Sequence, residues 1–61
     1  MLRIRIAHKR EFPRHHTTIE GIRTADALKQ WVKRLGGTDN DADDLAKKGR
    51  TEFGGEVVWV A

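Results

Sequence analysis

Between residues 24 and 37 the apolar positions recur on a helical period. Leu28, Trp31, Val32 and Leu35 fall on one stripe, with Ala25 at its edge, while Asp26, Lys29, Gln30, Lys33 and Arg34 take the other side. The ends carry matching signals. Thr24 is an N-cap residue type, Asp26 complements the positive helix start, and Lys33 and Arg34 complement the negative end. Gly36 supplies the positive φ that closes a helix. The pattern predicts an amphipathic helix lying on a sheet, its stripe deciding which strand faces point inward.

A different period precedes it. Leu2, Ile4 and Ile6 alternate with Arg3, Arg5 and Ala7, which predicts a strand with one buried face. Pro13 lacks a donor and pushes Phe12 into an extended conformation, so residues 9–14 read as a hairpin connection or a mobile loop, with Phe12 free to fold back on the core. The β-branched run around Ile19, residues 16–22, predicts a second, antiparallel strand, and Gly21 marks a bulge or twist in it. After Gly36-Gly37, Thr38 and Asp41 have capping-box spacing, and Ala42, Leu45 and Ala46 share a face. Asp43–Lys47 and Asp44–Lys48 are (i, i+4) pairs, and Gly49 supplies a stop. This is a short second helix with one large anchor, Leu45.

The tail contains the most strand-like run, residues 56–61, with apolar residues on both parities. That pattern predicts burial on both faces. Gly54-Gly55 reads either as a two-residue hairpin turn joining 51–53 to 56–58 or as a flexible lead-in. With the short partner strand left open, the order is β-β-α-α-β. The expectation is a small two-layer α+β domain over residues 1–61, with a three-stranded, mostly antiparallel sheet and its helices packed on one face. The last strand arrives by a long crossover beside the first, with a parallel orientation open to it.

Composition narrows the function classes. There is no cysteine among the 61 residues, which excludes a disulfide framework and a Cys-type zinc site. No apolar run reaches signal-peptide or membrane-span length, so no membrane role and a cytoplasmic location are expected. Charge is unevenly spread. Residues 1–35 carry nine Lys or Arg against three acids, and residues 36–61 carry three against six. A basic half attracts phosphate or an acidic protein surface, while the acidic half argues against indiscriminate coating of nucleic acid.

Several constellations invite chemistry. Asp39, Asp41 and Asp43 have the alternate spacing of calcium ligands, but the turn glycine would fall at Asp44 and the bidentate glutamate at Arg50, so helix capping is the better account. His8, His15 and His16 show no metal-ligand spacing; a small toxin-type ribonuclease using His15 or His16 beside Arg14 is an alternative. The glycine pairs lack a P-loop context and are turns. No cofactor or metal is expected.

Arg3 and Arg5 lie opposite Leu2, Ile4 and Ile6, hence on an open sheet face if helices cover the other. With Lys9, Arg10, Arg14, His15 and His16 of the connection, and Trp59 brought near by an adjacent last strand, they form the candidate binding set, although parity leaves open whether Trp59 or Val58 fills the core instead. The leading expectation is a small non-enzymatic binding or inhibitor protein, of the kind phages and mobile elements encode, that engages a larger polyanionic partner, either an acidic protein surface or nucleic acid. Against it stand the ribonuclease reading and a structural homodimer formed through the doubly apolar strand at 57–60.

Overall fold

The computed structural model describes residues 2–61; Met1, the first residue of the domain expected over 1–61, lies outside the described residues. The elements run β1 (Leu2–His8), β2 (Thr17–Ile22), α1 (Ala25–Arg34), α2 (Asp39–Lys48), β3 (Arg50–Phe53) and β4 (Glu56–Val60). The class is α+β, as the patterning predicts, but the sheet has four strands rather than three. Its order is β2-β1-β4-β3 and every pairing is antiparallel.

The added strand has a definite cause. Gly54 and Gly55 both hold positive φ, at 56° and 78°, which suits the twist-matched two-residue hairpin and pairs Phe53 with Glu56. That hairpin reverses the chain once more before β4. The last strand therefore lies beside β1 antiparallel, not parallel, with Ile4 opposite Val60 and His8 opposite Glu56.

Local signals elsewhere act as their chemistry dictates. The Thr24 side chain accepts from the Ala27 backbone N–H at 3.1 Å and starts α1. At its end, Gly36 takes φ 104°, the Gly36 N–H donates to Lys33 O and the Gly37 N–H to Val32 O, a Schellman closure. Thr38 and Asp41 form the full capping box of α2, and Gly49 stops that helix at φ 78°. On β1–β2 the pairing steps from Leu2–Ile22 to Ile4–Ile19, one residue more on β2, and Gly21 absorbs that bulge at φ 81°.

Both helices pack on one face of the sheet, where Ile4, Ile22, Leu28, Val32, Ala42, Leu45 and Val58 form the core. The helix stripe needs one correction. Leu28 and Val32 are its buried anchors, whereas Trp31 is half-buried at the core margin with the Arg34 guanidinium 5.2 Å from its ring, and Ala25 is exposed. Two bulky neighbours cannot both reach the centre of a layer this thin, and the branched Val32 fills it without a polar atom to satisfy.

Candidate functional site

Strand parity sorts the sheet residues. Since directly opposed residues of antiparallel strands share a face, the register places Thr18, Arg5, Trp59 and Arg50 in one row across all four strands, on the side away from the helices. Ala7, Val57 and Glu52 form the next row on that face, and Arg3 and Glu20 lie toward its other end. Trp59 thus stands between two arginines, one on each neighbouring strand.

This face is not the open surface that the alternation of β1 alone suggests. Residues 9–16 fold back over it. Phe12 meets Trp59 edge-on with ring centroids 5.0 Å apart, and the His16 ring approaches Trp59 at 5.7 Å. The Arg50 guanidinium sits 5.0 Å from the Phe12 ring. Below this cluster Ala7 and Val57 are buried at 4% and 1% exposure, outside the helix-side core. The two-sided apolarity of β4 is therefore met within the chain, by helices on one side and by the returning connection on the other.

The connection is held by its backbone. Glu11 and Phe12 N–H groups both donate to His8 O, His15 N–H donates to Glu11 O, and Lys9 N–H donates to Gly55 O at 2.8 Å, tying the connection to the β3–β4 turn. The arrangement leaves Lys9, Arg10, Arg14, His15 and His16 exposed, with Arg5 and Trp59 half-buried beneath. Arg5 Nε is shut off from solvent with no hydrogen-bond partner among the described residues. The His8 Nδ1 lies 3.2 Å from the Arg10 backbone nitrogen, whose N–H donates to it, and His16 Nδ1 lies 3.3 Å from Pro13 O.

Among the described residues three ion pairs dress this face. Arg3 meets Glu20 at 3.6 Å, and Glu52 meets both Lys9 at 3.9 Å and Arg50 at 3.6 Å. All these side chains are well exposed, so each pair contributes little to stability. Their value lies in fixing the layout of charge.

That layout divides the molecule by layer rather than by sequence half. The outer face and its connection hold Arg3, Arg5, Lys9, Arg10, Arg14 and Arg50 against Glu11, Glu20 and Glu52. The helical layer is balanced, since α1 has an excess of base and α2 an equal excess of acid, with Lys33 bridging to Asp39 at 3.2 Å. Arg23 and Glu56 cancel, so the whole formal charge of +3 rests on the outer layer.

The structure brings every residue of the candidate set to this layer, and adds two that strand patterning alone does not single out. Arg50 becomes visible once 51–53 is accepted as a strand, because the hairpin register then fixes it opposite Trp59. Phe12 needs the fold-back itself. The aspartates of α2 are occupied otherwise: Asp41 in the capping box and 3.4 Å from the Thr51 hydroxyl, Asp39 with Lys33. Among the described residues no three His, Cys, Asp or Glu side chains converge as metal ligands. No helix among the described residues is long and apolar enough to cross a membrane. The chain matches no protein-family model, no curated protein and no solved structure.

Proposed function

We propose that this protein is a small non-enzymatic binding module whose outer layer docks on a negatively charged partner. The observation that carries the reading is the confinement of the net charge to one layer, set against a neutral helical layer. Clustered arginines offer planar forks suited to carboxylates and phosphates. Two features favour an acidic protein surface over nucleic acid. The aromatic rings Phe12 and Trp59 are packed against each other, a poor starting point for base stacking. Glu20 and Glu52 are interleaved with the arginines, a pattern that suits a surface of mixed charge better than a continuous phosphate backbone.

The test is a titration against poly-glutamate, heparin, a 20-nucleotide single-stranded RNA and a DNA duplex, each across a salt series. Binding that weakens with salt and is lost in an Arg10→Glu/Arg14→Glu double variant supports the reading, with Lys29→Glu on α1 as the unaffected control. A preference for RNA or DNA with a steep salt slope would move the assignment to nucleic acid. Absence of binding to all four at low salt would overturn it. Cleavage of the RNA that disappears in His15→Ala/His16→Ala would instead establish the ribonuclease reading.

A further inference from the structure

The helical layer carries a concavity of its own, away from the basic face. Between the start of α1 and the end of α2 an open groove of about 790 Å³ runs over one end of the sheet. Its floor includes Leu2 and Val60, both only half-buried although they belong to the inward-facing parity. The reason is the size of the residues that would roof them. Ala25 on α1 and Ala46 on α2 line the groove with a methyl group each, where leucines would have closed it. The rim is basic throughout, with Arg23, Lys47 and Lys48, and no acidic residue lines the groove. Lys48 is 3.8 Å from Asp44, whereas Arg23 and Lys47 form no ion pair among the described residues.

An apolar trough between cationic rims specifies its occupant by complementarity: an apolar stripe flanked by carboxylates. A second copy of this chain does not meet that description. A two-fold contact through the groove would set Arg23 and Lys47 against their own counterparts. The acidic face of α2 has no large apolar side chain to offer, since its one anchor, Leu45, is fully buried. We infer that the groove takes an acidic amphipathic helix of a different protein, laid along it by the helix-in-groove mode. The Thr24–Ala25 end of α1 adds the positive pole of its dipole to the same attraction. This site does not depend on the polyanion reading of the outer layer, because the two surfaces share no residue.

The experiment is an amide-shift NMR titration of the whole chain with a 14-residue peptide carrying leucines at helical three–four spacing and glutamates elsewhere. A twin with lysine in place of glutamate serves as control. The expected result is saturable shifts confined to Leu2, residues 22–28, residues 45–49 and Val60, with binding weakened at least tenfold in Arg23→Glu/Lys47→Glu. Both positions are exposed, so that variant keeps the fold, which its unchanged shift dispersion verifies. Equal binding of the lysine peptide, shifts centred on Arg5 and Trp59, or none at millimolar peptide would each overturn the inference. So would capture by phosphatidylglycerol vesicles in the absence of peptide binding, which would make the groove a membrane contact.

Discussion

The two faces of this sheet are closed in different ways. On one, two capped helices lay down a regular layer, and Ile4, Val32, Leu45 and Val58 are fully buried. On the other, eight residues of irregular chain do the covering, and beneath them Val57 alone reaches that state, with the small Ala7 buried beside it. A helix hides apolar surface while satisfying its own backbone. A returning connection must find partners for its amides one by one, as Lys9 does at Gly55 and Phe12 at His8. The cheaper, thinner cover leaves arginine and aromatic side chains at the surface, and that is where this small protein keeps its charge. Burial is concentrated on the regular face and net charge on the irregular one.

Substitutions can break that division. The largest effect is expected at Leu45, which has no exposure and is the sole large anchor of α2. Leu45→Ala should cost about 2–5 kcal/mol, enough to abolish a cooperative urea transition in a domain of this size. Gly37→Ala comes next. Its Cβ would lie 2.6 Å from the Val32 side chain and 3.0 Å from Phe53, and the overpacking should cost roughly 1–3 kcal/mol by thermal unfolding. On the other face, Phe12→Ala should cost less, about 1–2 kcal/mol for a half-buried ring, and in a Trp31→Phe background should shift Trp59 fluorescence to the red. Such a variant that matched Leu45→Ala in severity would show the two faces to be equal partners in stability. Arg5→Met sharpens the contrast from another side. It removes an unpartnered Nε while keeping the apolar stem, so melting should stay level or rise as polyanion binding falls. The smallest change belongs to Arg3→Gln, whose exposed pair with Glu20 should register within about 0.5 kcal/mol.

The helices, their caps, β1 and the Gly21 bulge are legible from residue pattern, because each rests on interactions only a few positions apart or on strict alternation; the face that Trp59 takes is not, since apolar residues on both parities of β4 leave it open. What escapes that reading is short or non-local. Arg50–Phe53 is four residues with two charges, too brief for a period to declare itself, and its strand character depends on the partner that Gly54-Gly55 turns it against. The orientation of β4 follows from that one turn, so missing the hairpin exchanges antiparallel for parallel. Trp31 was legible as part of a stripe, yet a stripe does not rank its members, and packing gave the centre to Val32. A fold-back of Phe12 is expected from the sequence, but nothing there says that it covers the face away from the helices, and with that goes the difference between a bare basic strand and a capped one.

The strand order has a consequence for how the molecule assembles in time. β1–β2 and β3–β4 are local hairpins, but the sheet becomes one only through β1–β4, which joins Ile4 to Val60. Closing a loop of some fifty residues rather than eight carries an entropy penalty roughly 1.5 kcal/mol larger, paid before that seam returns any burial. Folding speed should thus be governed by the meeting of the two hairpins. The Arg5–Trp59–Arg50 row straddles that same junction, so neither half of the chain, expressed by itself, would possess the surface.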